Sequence, residues 1–224
     1  MSGSPQRADL YESLAGIGKA FSNGKRLEII ELLAQGERSV DALAQVADIP
    51  ATSVSAHLQV LKHAGVVAAR REGTRVRYGL TGDDIVLLYH LLLRVARSHV
   101  PRAELLRSAH LGPSSDTASI TPEQLFLRLT RRTVTVLDAR PEEEYAVGRV
   151  PGALSAPLET LRRTAAELPT GAELVVYGRS ANCTLAHQAV GVLTSVGRPA
   201  AVLSGGLLEW CSARYPMEAD DKAQ

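Results

Sequence analysis

Residues 39–63 read SVDALAQVADIPATSVSAHLQVLKH, and their pattern decides the fold of the first half of the chain. Ser39 is a typical helix cap before a short amphipathic run. Residues 47–50 then form a tight turn that ends at Pro50. Further on, Val54, Leu58 and Leu61 recur at steps of four and three, which is the spacing of one helix face. The stretch therefore predicts two short helices joined by a tight turn.

The second of these helices, predicted from Thr52 to His63, leaves a polar face away from its apolar row. The residues on that face are Thr52, Ser53, Ser55, His57, Gln59 and Lys62. Two short helices joined by a tight turn, with a polar outer face on the second, form the helix-turn-helix pattern that enters the major groove of DNA. Small hydroxyl side chains near the helix start suit close approach to phosphates and base edges.

A hairpin is predicted directly after this motif, over residues 66–80, with its turn around Gly73. Arginines are concentrated there, namely Arg70, Arg71, Arg75 and Arg77. A charged hairpin beside a recognition helix is a wing, and Arg71, Arg75 and Arg77 are its candidate phosphate contacts. The alternative is a solvated hairpin with no ligand, but the combination with the preceding motif favours DNA binding.

Residues 8–100 resemble an ArsR/SmtB-type winged-helix repressor, on the strings at 39–44, 53–67 and 71–78. The resemblance implies a homodimer that pairs through the first and last helices of the domain and binds operator DNA. A single long helix is predicted from Ile85 to His110, and its apolar coverage is broader than a surface helix needs, as a dimer helix would require.

Metal-sensing relatives carry a Cys-x-Cys pair in the helix that here spans residues 39–46, and this helix has no cysteine. A second known type of site uses Asp and His on the last helix. Asp83, Asp84, His90 and His99 do not match its spacing. We therefore predict no metal and no other cofactor, and a metal-responsive repressor remains an alternative.

Residues 111–119 are small, polar and rich in Pro and Gly, which predicts a linker. The expected organisation is a DNA-binding and dimerisation domain at 8–100, a helix end and linker at 101–118, and a second domain at 119–219. In the second domain, β-rich runs at 134–137, 174–177 and 200–203 alternate with helical segments. The predicted fold class is thus a mainly α winged helix-turn-helix followed by an α/β domain with a mainly parallel sheet.

Residues 137–145, 148–153 and 203–210 resemble the leading and closing signatures of rhodanese domains. The resemblance, which covers residues 117–219, implies a sulfur-transfer loop that starts with a catalytic cysteine after the second β-rich run, at 174–177. Here that position is Gly178, and Cys183 stands at the far end of the loop. A sulfurtransferase is therefore not favoured, and a cysteine at residue 178 should restore turnover if the rest of the loop is intact.

Cys183 precedes the helix predicted from Thr184 to Ser195, where the helix N-terminus favours a thiolate. It is the candidate sulfur carrier or sensor, with an inert buried thiol as the alternative. Arg140 and Arg179 are candidate partners of an anionic sulfur donor, although an ion pair would serve Arg140 equally well. Cys211 and His187 are expected to be packing residues, and a link between Cys183 and Cys211 stays open.

The whole chain has 224 residues, two cysteines and a formal net charge of +1, with 45% hydrophobic residues. These values exclude a disulfide-stapled secreted fold and a uniformly basic coat, and no apolar run is long enough to span a bilayer. The prediction is a cytoplasmic, homodimeric regulator, most simply a repressor, that binds operator DNA and senses reactive sulfur or redox state through Cys183. A small sulfur species or thiol would be its ligand. The alternatives are a sulfurtransferase with Cys183 as persulfide carrier and the metal-responsive repressor.

Overall fold

A computed structural model describes residues 5–112 and 117–220 of the chain. The chain divides into two compact units between Tyr89 and His90. Part of the linker predicted at 111–119, residues 113–116, lies outside the described residues.

The first unit is built from helices and one small sheet. Its elements are α1 (Pro5–Phe21), α2 (Gly24–Leu33), β1 (Arg38–Ser39), α3 (Val40–Ala47), α4 (Ala51–His63), β2 (Val67–Glu72) and β3 (Arg75–Leu80). The helix α5 (Asp83–His99) starts in this unit and ends in the next.

The helix-turn-helix motif forms for the reasons visible in the sequence. The Ser39 side chain caps α3 by accepting a hydrogen bond from the backbone N–H of Ala42 at 3.2 Å. Asp48 then takes the left-handed conformation, with φ 49°, which turns the chain toward α4. On α4 the apolar residues Val54, Leu58 and Leu61 are all fully buried. The predicted motif is confirmed.

The predicted hairpin is also present, with β2 and β3 paired antiparallel and Gly73 in the turn at φ 62°. The left-handed conformation is easy for glycine because it has no Cβ. A third strand was not predicted: β1 pairs with β3, so the sheet order is β1-β3-β2. Only two residues long, β1 owes its strand conformation to this pairing.

The single helix predicted from Ile85 to His110 is wrong. The chain instead forms α5 and a separate helix α6 (Pro101–Leu111). Proline has no N–H to donate to a carbonyl four residues earlier, and its ring clashes with that carbonyl in a continuous helix. Pro101 therefore ends one helix and occupies the first turn of the next, where its missing N–H costs nothing.

The second unit contains the end of α5, α6 and an α/β fold. After α6 come β4 (Ser119–Ile120), α7 (Pro122–Thr130), β5 (Val134–Asp138), α8 (Glu142–Val147), β6 (Leu154–Ser155), α9 (Leu158–Thr164), β7 (Glu173–Tyr177), α10 (Thr184–Ser195), β8 (Ala200–Leu203) and α11 (Gly206–Ser212). All pairings in its sheet are parallel, and the strand order is β4-β8-β7-β5-β6. The predicted fold class is confirmed.

Alternating residues of the central strands pack into two hydrophobic cores, one on each face of the sheet. On one face, Leu174 and Val176 of β7 pack with side chains of α9 and α10. On the other face, Val175 and Tyr177 pack with α7 and with Trp210 of α11. This two-sided burial is typical of a parallel sheet between helix layers, and it brings the loop after β7 to the carboxyl edge of the sheet, where α/β proteins build their sites.

Among the residues that the structure describes, no helix combines the length and the apolar character needed to cross a membrane.

Candidate functional site

The polar face of α4 carries the predicted DNA-contacting residues. Thr52, Gln59 and Lys62 are exposed, whereas Ser53, Ser55 and His57 are half-buried. The first three therefore present their full side chains to solvent, and the other three present only part of theirs. These roles in DNA binding stay predictions.

The four arginines of the hairpin fall into two groups. The guanidinium of Arg70 binds both carboxylate oxygens of Glu37, with Nη2 to Oε2 at 2.6 Å, and Arg77 donates from Nη2 to the backbone carbonyl of Glu37 at 2.8 Å. The hydrogen bond from Arg70 lowers the pKa of Glu37. Arg71 and Arg75 are exposed. Arg70 and Arg77 thus fix the hairpin to the start of β1, and Arg71 and Arg75 reach outward.

The loop after β7 brings Cys183 back against Gly178. A Cβ placed on residue 178 would stand 3.0 Å from the Cys183 sulfur and 3.4 Å from the Cys183 Cβ. The sulfur therefore fills the space into which a side chain on residue 178 would project. Cys183 is the N-cap residue of α10 and is 9% exposed, so its sulfur lies at the positive end of a twelve-residue helix.

The start of α11 holds this loop in place. The backbone N–H groups of Leu207 and Leu208 donate to the carbonyls of Gly178 and Arg179, at 3.0 and 2.9 Å. Gly206 lies so close that a Cβ on it would be 2.6 Å from the Gly178 oxygen. Its φ of 69° is in the left-handed region. Only glycine meets both requirements without strain, which explains the closing sequence motif.

Arg140 forms a buried ion pair, one of the two roles considered for it. Its Nη2 lies 2.6 Å from Asp138 Oδ2, and both side chains are fully buried. Tyr177 donates to the same carboxylate oxygen at 2.5 Å, and Arg140 donates to the Gly148 carbonyl at 2.6 Å. Burial alone would lower the pKa of Arg140, but the hydrogen bond and charge of Asp138 raise it overall. Burial raises the pKa of Tyr177, and Asp138 adds to the rise.

Arg179 is also paired. Its guanidinium binds the Glu144 carboxylate through Nε and Nη2, at 2.9 and 2.6 Å, and Glu144 is buried. The arrangement ties the loop to α8. Neither Arg140 nor Arg179 lines the cavity beside Cys183, and their predicted role as anion partners stays untested.

A cavity of about 210 Å³ opens beside the loop, and all its lining residues belong to the second unit. Gly178, Ser180, Ala181 and Cys183 form one wall, and the sequence 203–205 and the start of α10 contribute others. Two arginines from outside the α/β fold, Arg97 of α5 and Arg107 of α6, line it as well. Sequence reasoning missed both, because they precede the linker and belong to neither motif; a basic residue in each of the two helices next to the linker was the available signal.

Arg107 is fixed by a two-point ion pair. Its Nε lies 3.0 Å from both carboxylate oxygens of Glu104, and its Nη1 reaches the Ala181 carbonyl of the loop at 3.5 Å. Arg97 approaches the same carboxylate at 3.4 Å. The hydrogen bond from Arg107 lowers the pKa of Glu104, so this carboxylate stays ionised between the two guanidinium groups.

Cys211 lies on α11, on the opposite face of the sheet from α10. It packs against the core that contains Trp210, and its sulfur lies 3.6 Å from that of Met217. Neither cysteine is in a disulfide. This placement supports the packing role expected for Cys211, and the link to Cys183 that the sequence left open stays untested.

Within residues 5–112 and 117–220, no group of three or more His, Cys, Asp and Glu side chains could hold a metal ion. Of the four acidic and histidine residues considered in the sequence, His90 lies with its Nδ1 4.0 Å from Glu209 Oε1. Burial, with Arg94 and Arg97, lowers the pKa of His90.

Comparison with known proteins tests these observations. Residues 23–69 match the family model of the bacterial regulatory protein, arsR family, and residues 121–213 match that of the rhodanese-like domain. The HTH-type transcriptional regulator Rv0324 of Mycobacterium tuberculosis is 40% identical over 215 residues, which cover 96% of this chain and 94% of the relative. The chain belongs to the ArsR-family transcriptional regulators and carries a C-terminal rhodanese-like domain.

Two solved structures are similar to parts of this ArsR-family chain. The homodimeric winged helix-turn-helix DNA-binding domain of Mb0332 from Mycobacterium bovis is 48% identical, with 45% of this chain and 94% of that chain covered and a TM-score of 0.41. The rhodanese-like domain of Alr3790 from Anabaena is 30% identical, with 45% and 78% covered and a TM-score of 0.41.

Proposed function

We propose that this ArsR-family regulator binds operator DNA as a homodimer and that its rhodanese-like domain senses a reactive sulfur or redox signal through Cys183. The DNA interface is the polar face of α4 together with Arg71 and Arg75 of the hairpin. Because a bacterial regulator acts on the chromosome, we infer that the protein works in the cytoplasm. Repression is the simplest mode, since a dimer on an operator blocks access to the promoter.

A row of exposed apolar side chains supports the homodimer. On α1, Leu10 and Leu14 are 57% and 59% exposed. They lie one turn apart, so they form an exposed apolar strip on one face of the helix. On α5, Leu91 and Val95 are exposed in the same way. Such rows on two helices are unfavourable in water and are typical of surfaces that a partner covers. A second copy is the occupant that we propose, because two half-sites of a palindromic operator require two copies.

The position of the Cys183 sulfur carries the proposal for sensing. The rhodanese resemblance puts the reactive cysteine at residue 178, and the Cys183 sulfur stands 3.0 Å from where a Cβ of that residue would be. The thiol is thus supplied from the other end of the same loop. It borders the cavity, so a small molecule that enters there meets the sulfur, at a helix N-terminus that favours the thiolate.

The proposed chemical step is transfer of sulfane sulfur from a small persulfide RSSH. The Cys183 thiolate attacks the terminal sulfur, a new S–S bond forms, and the bond between the two sulfurs of the donor breaks. The leaving thiolate takes the donor's proton and departs as RSH, and Cys183 is left as a persulfide anion. Atoms, charge and electrons balance without a further oxidant or reductant.

Operator binding with and without polysulfide tests the proposal in the parent, Cys183→Ser and Cys211→Ser proteins. A typical coupling of about 1–3 kcal/mol would change operator affinity roughly 5- to 150-fold. We expect that change in the parent and in Cys211→Ser, and none in Cys183→Ser. A response that persists in Cys183→Ser disproves sensing by this residue, and a response lost only in Cys211→Ser assigns it to the other cysteine.

A sulfurtransferase with Cys183 as carrier is the second candidate, and the same sulfur position beside a cavity favours it. Turnover of thiosulfate and cyanide by the purified protein separates the two. Multiple turnovers that vanish in Cys183→Ser would establish the enzyme, whereas a single sulfur transfer per chain supports the sensor.

A further inference from the structure

We propose that Arg97 and Arg107 form an anion-binding subsite for the sulfur donor of Cys183, so that the ligand is a small persulfide with a carboxylate or sulfonate at its other end. The inference rests on the proposed function, since it names the ligand class of that site. It assigns recognition to α5 and α6, outside the α/β fold that carries the thiol.

The charges around the cavity support an anionic ligand. Among its described lining residues, Arg97 and Arg107 carry full positive charges, and none is an Asp or Glu. The carboxylate of Glu104 faces both guanidinium groups. One carboxylate against two guanidinium groups leaves a net positive charge at this wall, and guanidinium groups bind carboxylate and sulfonate oxygens well.

The fixed orientation of Arg107 also supports an anion subsite. Glu104 engages its Nε and Nη2 edge, and the remaining Nη1 is directed toward the Ala181 carbonyl, one of the loop residues that border the cavity. A planar guanidinium held at one edge presents its other edge in a fixed direction. The guanidinium of Arg107 is therefore held in one orientation beside the Cys183 loop.

The size of the cavity limits the ligand. Its volume of about 210 Å³ is below the roughly 300–1,000 Å³ of sites for drug-sized molecules, so a ligand with a few carbon atoms fits and a large peptide does not. The hydroxyls of Thr117, Ser119 and Ser204 also line the cavity, and they suit the polar atoms of such a ligand. A short molecule with sulfur at one end and an acid at the other matches these walls.

Alkylation of Cys183 by an anionic and a neutral reagent of similar size tests the subsite. Iodoacetate and iodoacetamide each form a thioether and release iodide, and they differ in their charge. In the Cys211→Ser background, where Cys183 is the remaining thiol, the ratio of the two rate constants measures attraction of the anion. The neutral reagent corrects for changes in thiol exposure or nucleophilicity.

We expect the iodoacetate-to-iodoacetamide ratio to fall about 3-fold in each of the single variants Arg97→Gln and Arg107→Gln. The loss of one charge a few ångströms away in a solvated site predicts a change of this size. Arg107→Lys should retain most of the ratio because it keeps the charge. Arg102→Gln is the matched control, since Arg102 is exposed on α6 and does not line the cavity. Added salt should reduce the ratio in the parent.

A ratio that is the same in the parent, Arg97→Gln and Arg107→Gln overturns the subsite. So does failure of both reagents to alkylate Cys183 in the native protein, because no ligand of that size then reaches the sulfur. Neither result depends on operator release by polysulfide. An unchanged ratio therefore overturns the subsite alone, whereas an inaccessible thiol counts against the subsite and against sensing through Cys183.

Discussion

The sulfur of Cys183 fills the space beside Gly178 into which a side chain would project. A Cβ on residue 178 would lie 3.4 Å from the Cys183 Cβ. The usual Cβ–Cβ separation in a disulfide is about 3.5–4.5 Å. A small shift of the loop would bring a cysteine introduced at residue 178 into bonding range of Cys183. This relationship makes the glycine a determinant of thiol chemistry as well as of loop shape.

Gly178→Cys should therefore form a disulfide with Cys183 under mild oxidation. The parent has two cysteines, so the reduced variant should titrate three thiols and the oxidised one a single thiol in denaturant. Gly191→Cys is the control, because Gly191 lies on the exposed side of α10 with open space around it, and it should keep all three thiols. Three thiols in oxidised Gly178→Cys would contradict the loop geometry.

The same contact changes the expected route to sulfurtransferase activity. The Cys183 sulfur fills the space that a thiol on residue 178 needs, so Gly178→Cys alone should turn over thiosulfate poorly. The double variant Gly178→Cys/Cys183→Ala frees that space and should be the faster enzyme. Initial rates of thiocyanate formation measure both. A faster single variant would show that the two sulfurs coexist without conflict.

Gly206→Ala should destabilise the second unit strongly. The new methyl group would stand 2.6 Å from the Gly178 oxygen, at a φ of 69°, and a left-handed non-glycine residue alone costs about 1–3 kcal/mol. Thermal unfolding measures the loss. Gly191→Ala, in the exposed interior of α10, should instead stabilise by roughly 0.5–1 kcal/mol. Equal melting temperatures for the two variants would contradict the close approach.

Arg75→Ala should weaken DNA binding for every sequence and reduce the salt slope of the binding constant by about 0.9, the loss of one phosphate contact. Arg77→Ala should also lower the stability of the hairpin, because Arg77 donates to the Glu37 carbonyl. The double variant should combine the loss of the Arg75 phosphate contact with the weaker hairpin. Binding titrations at several salt concentrations and thermal unfolding separate the two effects, with exposed Arg163→Ala in the second unit as the control. Parent-like binding by both variants would exclude the hairpin as a wing.

Stability should fall as the pH rises above about 10, in part through Tyr177. Burial raises its pKa in the folded protein, so the folded state keeps a proton that the unfolded state releases near pH 10. The free energy of unfolding then decreases by up to about 1.4 kcal/mol per pH unit for this group. Tyr177→Phe should be less stable at neutral pH but show a shallower alkaline decline. The same alkaline slope in both proteins would contradict the buried phenol.

Sequence periodicity was sufficient to predict α3, the turn, α4 and the hairpin, because each depends on local capping, burial spacing or glycine. The strands β1, β4 and β6 have two residues each, and such short strands exist only because a neighbour pairs with them. Pro101 was visible in the sequence, but the broad apolar coverage that begins at Ile85 suggested one continuous helix to His110. Local geometry, in this case, outweighed the pattern.

The site was predicted only in part: sequence reasoning singled out the loop positions Gly178 and Cys183, and the role of Cys183 stays a prediction. It did not foresee that the sulfur of one lies against the backbone of the other, because a loop's path depends on its tertiary contacts. The ion pair between Asp138 and Arg140 was one of two readings, and no pattern could decide between them. Arg97 and Arg107 were missed because they precede the domain whose cavity they line.

The break at Pro101 has a consequence for protein engineering. Each residue added to or removed from α6 rotates everything beyond it by about 100°, given 3.6 residues per turn. Arg107 would then leave the wall of the cavity even if the connection kept its length. A chimera that fuses this rhodanese-like domain to a different DNA-binding domain should therefore be joined before residue 97. Both arginines then stay in the same segment as Cys183. A junction after residue 112 would separate Arg97 and Arg107 from the rest of the cavity lining.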